Sequence, residues 1–142
     1  MHELPEVETV KEVLKKQLLN QKILDVIVNY PKMIEQINVD DFINNLKNQT
    51  IIDIKRRGKW LLFELNDYYL LSHLRMEGKY YIKNFNDEVT EHQHVIFKFK
   101  NFELRYNVTR KFGRMYLLDK KNIYNTKPLS ELGYEPWDDK LN

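Results

Sequence analysis

The fold is decided by residues 50–75, which read TIIDIKRRGKWLLFELNDYYLLSHLR. Three apolar runs rich in β-branched and aromatic residues stand here, separated by polar junctions at Arg57-Gly58 and Asn66-Asp67. Short apolar runs bounded by turn residues are typical of strands joined by tight connections. This stretch therefore predicts consecutive short strands rather than a parallel α/β sheet.

The same pattern continues towards the C-terminal part of the chain. Four further runs have this character: KYYIKN (79–84), HVIFKFK (94–100), FELRYNV (102–108) and RMYLLDK (114–120). Because no helical pattern is interleaved with them, their even spacing predicts a mainly β fold, either an antiparallel β-sandwich or a barrel.

Two helices precede or interrupt this β region. From Glu3 to Leu19 the apolar residues recur at helical spacing, which predicts a long amphipathic N-terminal helix. Residues 22–30 (KILDVIVNY) alternate with period two and indicate a strand. A second, short helix is predicted from Val39 to Leu46, with Asp40 and Asp41 near its positive end.

Composition excludes several classes of protein. A length of 142 residues suits one domain, and the absence of cysteine excludes disulfides, a cysteine nucleophile and thiolate zinc sites. No apolar run is long enough to span a membrane, and the polar, acidic start is unlike a signal or transit peptide. We therefore expect a cytoplasmic protein. The net charge of +2 is too small to indicate a nucleic-acid partner by itself.

Positive charge is concentrated at predicted junctions between strands. Residues 55–59 (KRRGK) and 110–114 (RKFGR) combine basic residues with glycine, and the second adds an aromatic ring. Residues 73–78 (HLRMEG) place Met76 beside an arginine. Such loops are either solvated surface turns or sites where backbone approaches phosphates and a side chain enters a base stack. Met76 is alternatively a core residue.

His92 and His94 share one face if they lie on a strand. A metal pair would need a third ligand, and none is obvious nearby in the sequence. The alternative is a histidine that is hydrogen-bonded or that contacts a phosphate. We predict no metal site in this chain.

Five motifs carry a family resemblance across essentially the whole chain. They are ELPEVETV (3–10), RRGK (56–59), SHLRMEG (72–78), RKFG (110–113) and LGYEP (132–136). In their wording, order and spacing they closely resemble the N-terminal domain of formamidopyrimidine-DNA glycosylase, a bacterial enzyme that removes oxidised purines such as 8-oxoguanine. The resemblance implies a two-sheet antiparallel β-sandwich flanked by helices.

The resemblance also implies a mechanism and its catalytic residues. In the family, the α-amine of an N-terminal proline attacks C1′ of the damaged nucleotide, and the resulting Schiff base allows strand cleavage by β-elimination. The position of that proline is His2 here. Glu3 matches the carboxylate that assists proton transfer, and Lys59 matches the lysine that donates a proton and contacts phosphate.

The same matching implies a set of DNA-binding residues. Met76, Arg110 and Phe112 match the side chains that fill the space left when the lesion is flipped out of the duplex. His73 and His92 match positions that contact the DNA backbone. The expected partner is double-stranded DNA that contains an oxidised base or an abasic site, bound by a monomer with no membrane contact.

The sequence departs from the family in three places. Methionine is removed efficiently only before a small residue, so we expect Met1 to precede His2 and the amine to be displaced by one residue. Val108-Thr109 stand where the family has Asp-Val or Asp-Pro. We expect residues 1–136 to form the catalytic domain and 137–142 to begin a linker, with the family's helix-two-turns-helix and zinc-finger domains outside this chain.

These departures leave three hypotheses open. The chain is the catalytic domain of a base-excision glycosylase and AP lyase, weak or inactive alone and with no cofactor of its own. Alternatively, it is a catalytically inactive DNA-binding module of the same fold, or an unrelated interaction sandwich in which the basic turns lie far apart.

Overall fold

The computed structural model describes residues 4–74, 78–108 and 114–121, with side chains from Glu8 onward. The helices are α1 (Leu4–Leu18) and α2 (Val39–Leu46), and Pro31–Met33 form a 3₁₀ turn. The strands are β1 (Asp25–Val28), β2 (Ile34–Glu35), β3 (Asp53–Arg57), β4 (Trp60–Glu64), β5 (Tyr68–His73), β6 (Lys79–Lys83), β7 (Gln93–Lys98), β8 (Glu103–Asn107) and β9 (Arg114–Asp119).

These strands form two sheets that face each other. One sheet has four strands in the order β1-β7-β8-β6, and the other has five in the order β2-β9-β5-β4-β3. All pairings are antiparallel except that of β2 with β9, which is parallel. The predicted two-sheet sandwich with flanking helices is confirmed, and the parallel edge strand makes the larger sheet mixed.

The core lies between the sheets and extends beneath the helices. Alternate residues of the central strands point inward, so that Leu61 and Phe63 of β4 meet Phe97 of β7 in one buried cluster. Leu14 and Leu18 close the same cluster from α1. The helical spacing in the sequence thus corresponds to a helix that covers the sandwich.

The second helix was predicted with the bounds that the structure shows. Its N-cap is Asn38, whose side chain accepts a hydrogen bond from the Asp41 amide at 2.8 Å. Asp40 and Asp41 lie in the first turn, where negative charge favours a helix. The first-turn acids were part of the prediction of this helix, whereas the Asn38 cap was found only in the structure.

The region around the first strand differs from expectation. Residues 22–30 were predicted as one strand, but β1 covers only Asp25–Val28. Lys22 instead forms an isolated antiparallel bridge with Thr50. The 3₁₀ turn and β2 were not predicted, because a two-residue strand that pairs with β9 has no periodicity of its own to read.

None of the helices in the described residues combines the length and apolar character needed to cross a membrane.

Candidate functional site

Three strand junctions lie at one end of the five-stranded sheet. The register pairs Arg57 with Trp60, Trp60 with His73, and His73 with Arg114. These four residues form one row across neighbouring strands, which are spaced about 4.8 Å apart. The basic turn at 58–59, the segment after His73 and the segment before Arg114 therefore leave the sheet at the same end of its strands. We name this end of the sandwich the functional edge; it runs across the strand ends and is not an edge strand.

The β3–β4 turn presents Lys59 at this edge. Gly58 has a φ of +59°, in the left-handed region that glycine adopts without cost. The carbonyl of Lys59 accepts a hydrogen bond from the Leu74 amide at 3.1 Å. The turn that carries the lysine is thus bonded through its backbone to the start of the next loop.

The loop between β5 and β6 is closed at its base. The Gly78 amide donates to the Leu74 carbonyl at 2.8 Å, and both residues are buried. A Cβ at Gly78 would lie 2.6 Å from the Leu74 oxygen and 2.6 Å from Tyr106 Oη. Tyr106 also donates from its hydroxyl to the His73 carbonyl at 3.3 Å. Only glycine therefore fits at Gly78.

The four-stranded sheet contributes to the same edge. The Val108 amide donates to the His92 carbonyl at 3.0 Å, just beyond the paired residues Gln93 and Asn107. Asn107 also pairs with Lys79, which follows the β5–β6 loop directly. Because β8 and β9 belong to different sheets, the segment from Val108 to Arg114 connects the two sheets at this edge, as the β5–β6 loop does.

Helix α1 is aligned with β3 by two ion pairs. Glu8 Oε1 lies 2.8 Å from Arg56 Nε, and Lys15 Nζ lies 3.3 Å from Asp53 Oδ1. The helix therefore runs antiparallel to the strand. Leu4 is one turn before Glu8, which at 1.5 Å per residue is about 6 Å, or about two strand residues past Arg56. The first turn of α1 is thus level with the turn that carries Lys59.

Charged neighbours perturb Glu8 at this position. Lys11 and Arg56 hold the pKa of the Glu8 carboxyl below its usual value, because both donate to its charged form. Arg56 Nη1 also approaches the Gly58 carbonyl at 3.5 Å. Arg56 thereby joins the helix to the basic turn.

The two histidines assigned to DNA contact have different surroundings. The His73 ring meets the Trp60 ring edge to face, with centroids 4.8 Å apart. The His92 side chain is 40% exposed, and its Nε2 lies 3.6 Å from Glu91 Oε1. Both are placed at the functional edge, on different sheets. His94 is buried instead, with its ring against Tyr30 at 5.1 Å.

The structure brings together three of the residues singled out from the sequence, namely Lys59, His73 and His92. Five others lie outside the described residues: His2, Glu3, Met76, Arg110 and Phe112. Each of the five is adjacent in the sequence to, or enclosed between, segments that reach the functional edge. Among the described residues, no three acidic or histidine side chains are grouped closely enough to hold a metal ion.

Sequence reasoning missed several residues that organise this edge. Tyr106 and Trp60 were included in predicted strands without a role, and Glu8 stood within the motif ELPEVETV without a role of its own. A signal existed for Trp60, because the predicted β4–β5 pairing places it near His73. Tyr106 and Glu8 carried no such signal, since their contacts depend on how separate elements pack.

Comparisons with known proteins agree on one family. The sequence model of the formamidopyrimidine-DNA glycosylase N-terminal domain matches residues 1–115. The formamidopyrimidine-DNA glycosylase of Shouchella clausii is 53% identical over 143 residues, covering 99% of this chain and 52% of that protein. That of Enterococcus faecalis is 48% identical over 140 residues, with 98% and 50% covered. The chain spans about half the length of the curated relatives it matches.

Solved structures give the same result. The Lactococcus lactis Fpg in complex with DNA containing an abasic site matches with a TM-score of 0.82 and 39% identity, covering 87% of this chain and 46% of that one. MutM in complex with DNA containing carbocyclic 8-oxo-G matches with a TM-score of 0.82 and 38% identity, covering 87% and 47%. The chain belongs to the formamidopyrimidine-DNA glycosylase N-terminal domain family.

Proposed function

We propose that this chain is the catalytic part of a bifunctional DNA glycosylase and AP lyase in base-excision repair. Its substrates are double-stranded DNAs that contain oxidised purines, such as 8-oxoguanine or formamidopyrimidine, or an abasic site. Solved relatives bound to abasic-site and 8-oxo-G DNA support this assignment. The relatives are bacterial proteins, which is consistent with action in the cytoplasm. In this proposal the protein acts on the nucleoid as a monomer.

One observation carries the proposal. Lys59, His73 and His92 come from three separate strand junctions, yet backbone pairing brings these junctions to one edge. Arg57, Lys79 and Arg114 add positive charge there, as contact with DNA phosphates requires. Antiparallel topology places turns at both ends of a sheet, so the support comes from the concentration of basic and imidazole side chains at this one end.

The nucleophile in this proposal is the N-terminal amine. The alignment of α1, which begins at Leu4, with the strand that leads to Lys59 supports this role. An α-amine titrates near pH 8, about two units below a lysine, so more of it is neutral and nucleophilic at pH 7. The free amine belongs to Met1 while that residue is retained and to His2 once it is removed. In this proposal it attacks C1′ of the damaged nucleotide, and the base leaves. Glu3 assists proton transfer at the base and sugar. Lys59 contacts phosphate and donates the proton for β-elimination.

DNA distortion falls to the loops that connect the sheets. Met76 lies in the sequence between the anchors Leu74 and Gly78, and Arg110 and Phe112 lie between Val108 and Arg114. These three side chains enter the duplex and occupy the space of the flipped nucleotide, whose sugar cannot be reached inside the stack. His73 and His92 bind flanking phosphates.

We propose no cofactor for this chain. The zinc of the family is held by four cysteines, and these 142 residues contain none. Residues 1–136 form the catalytic domain in this proposal, and 137–142 begin the linker.

Borohydride trapping tests the reaction. With an abasic-site duplex, the catalytic proposal predicts a covalent adduct, because borohydride reduces the Schiff base to a stable amine. Changing His2→Pro restores the family's secondary amine and is expected to raise the adduct yield about tenfold or more if Met1 is removed, which the mass of the N-terminal peptide verifies. Binding without any adduct in either protein would favour the inactive DNA-binding module instead.

A matched pair of lysine variants tests the site. Lys59→Ala is expected to abolish most strand cleavage and weaken binding, whereas Lys83→Ala is expected to leave both unchanged. Lys83 lies at the far end of β6, opposite Glu103 and away from the functional edge. Equal effects of the two substitutions would contradict the placement of the site.

A further inference from the structure

Arg105 of β8 is fully buried and uses its whole guanidinium group in hydrogen bonds. Its Nε and Nη2 donate to Glu103 Oε1 at 3.0 and 2.8 Å. Glu103 is itself 3% exposed, so the pair is enclosed. An enclosed ion pair of this kind is costly to form unless the remaining donors are also satisfied. The acceptors of the remaining Arg105 donors therefore indicate the structural role of this ion pair.

Those donors bind the loop between β6 and β7, which comprises residues 84–92. Nη1 donates to the Glu88 carbonyl at 2.9 Å, and Nη2 to the Asp87 and Asn84 carbonyls at 2.9 and 3.3 Å. Each of these acceptors is a backbone oxygen, so the contact fixes the path of the chain rather than one side chain. The β6–β7 loop is thus built around the guanidinium.

The hold extends to the end of the loop that carries His92. Gln93 Oε1 accepts from Arg105 Nη1 at 3.1 Å and from the Thr90 amide at 3.4 Å. The Gln93 amide in turn donates to the Thr90 carbonyl at 3.2 Å. His92 therefore lies between two residues that Arg105 fixes directly or through one shared acceptor, and its own carbonyl is held by Val108.

We propose that Arg105 is a positioning residue for DNA binding. Its buried guanidinium holds the β6–β7 loop so that the half-exposed His92 side chain is presented at the functional edge to a DNA phosphate. This inference rests on the proposed function, because it needs His92 to contact DNA. Lysine cannot replace arginine here, since three donors on one nitrogen cannot reach acceptors spread around a planar fork.

The first measurement needs no DNA. Hydrogen–deuterium exchange is followed in peptides that cover residues 84–92 and, as an internal control, residues 68–73. Arg105→Lys is expected to speed exchange in the β6–β7 loop about tenfold or more, the effect of losing a hydrogen bond to a charged group, with the control strand unchanged. Glu103→Gln, which touches the same guanidinium but not the loop, is expected to leave loop exchange closer to that of the original protein. Unchanged loop exchange in Arg105→Lys would overturn the proposal.

The second measurement follows the imidazole signals of His92 and His73 by NMR while a short abasic-site duplex is added. Both signals are expected to shift in the original protein. In Arg105→Lys the His92 shift is expected to be lost and the His73 shift retained, a pattern that general destabilisation would not produce. Retention of the His92 shift, or loss of both shifts together, overturns the proposal.

Two further results keep the two proposals distinguishable. In one such result, neither histidine signal shifts on adding DNA to the original protein, while loop exchange still depends on Arg105. The proposed DNA contact of the histidines is then wrong although Arg105 does hold the loop, and the positioning role in DNA binding is rejected. Should Arg105→Lys not fold, Gln93→Ala removes only the acceptor shared with Thr90, and it is expected to give the same selective loss at His92. A full His92 response in Gln93→Ala would then count against the proposal.

Discussion

The outer faces of the two sheets carry different kinds of buried side chain, apolar on one sheet and charged on the other. On the five-stranded sheet the outward side chains of β4, β5 and β9 form a second apolar cluster, made of Trp60, Leu62, Leu71, Tyr116 and Leu118. On the four-stranded sheet, the outward Glu103 and Arg105 form an enclosed ion pair beneath the β6–β7 loop. An apolar cluster tolerates changes that conserve volume, whereas a polar network loses most of its value when one member is removed. The sheets should therefore respond differently to the same kind of substitution.

The largest effect is expected for Arg105→Met. The substitution conserves much of the volume, but it leaves buried Glu103 with only the longer ion pair to Lys98 at 3.7 Å and frees three loop carbonyls. The free energy of unfolding is expected to fall by about 3–5 kcal/mol, as measured by urea denaturation. Leu71→Met on the other sheet is the matched control and should cost less than about 1.5 kcal/mol. Similar losses of unfolding free energy in Arg105→Met and Leu71→Met would contradict the proposed difference between the two outer faces.

The next largest effect is expected for Leu71→Ala. Leu71 is fully buried in the apolar cluster and pairs across strands with Leu62. Truncation removes apolar contact and leaves a cavity, so we expect a loss of about 3 kcal/mol in urea denaturation. Ile27→Ala, on the outward face of β1 where the side chain is 36% exposed, should cost much less. A comparable loss at Ile27 would show that the outer faces do not differ in burial.

A smaller effect is expected where the two sheets meet. Tyr80 of β6 donates its hydroxyl to Ser72 Oγ of β5 at 2.6 Å, and Ser72 is fully buried. Tyr80→Phe removes this bond between the sheets and should cost about 1 kcal/mol near pH 7. Tyr81→Phe, at a more exposed position on the same strand, serves as the control and should change little.

The same tyrosine predicts a pH dependence. Burial raises the pKa of Tyr80 well above its usual value of 10.0, with Tyr106 adding to the shift. Above pH 10 the unfolded chain releases a proton that the folded protein retains, so the stability present below that pH is lost as pH rises. Unfolding measured between pH 8 and 11, about the usable range, should show a shallower decline in Tyr80→Phe. An identical decline would assign it to other groups, such as Tyr68, whose pKa is also raised by burial.

The smallest effect is expected at β3, the outermost strand of the five-stranded sheet, where helix α1 is attached by an ion pair. Glu8→Gln weakens the ion pair with Arg56, which is partly exposed, so the cost at pH 7 should be about 0.5 kcal/mol. Because Lys11 and Arg56 lower the pKa of Glu8, this contribution is fully present above the usual carboxylate pKa and is lost as pH falls through the lowered pKa of the folded protein. Denaturation at pH 7 and about pH 3 should therefore show a larger difference between the two proteins at the higher pH. Glu12→Gln on the same helix is the control.

The sequence predicted those elements whose stabilising interactions are local in the chain, and it missed those that depend on contacts between distant segments. Helix α2 has its own cap and first-turn acids, and the central strands have their own alternation, so local patterns placed them. The pairing of β2 with β9 and the shortening of β1 depend on contacts between distant segments. Arg105 shows the limit most clearly: in the run FELRYNV it alternates like any solvated strand residue, and only the fold reveals that a loop covers it.

The candidate site follows the same division. Lys59 and His73 were identified in motifs at predicted strand junctions, whereas His92 was identified only by its match to a position of the family. Their convergence on one edge required the strand order, in which β5 lies between β4 and β9 and its loop crosses to the other sheet. That order depends on long-range pairing, and no single motif encodes it.

Closure of the β5–β6 loop has a consequence for engineering. Leu74 and Gly78 are joined by a backbone hydrogen bond, and Leu74 is tied to Lys59 in the same way, so the anchors of this loop do not depend on the identities of residues 75–77. Residues 75–77 can therefore be substituted without removing the backbone hydrogen bonds of Leu74 and Gly78. A library randomised at these three positions, with Gly78 kept, would vary what enters the duplex while the fold and the turn that carries Lys59 stay the same.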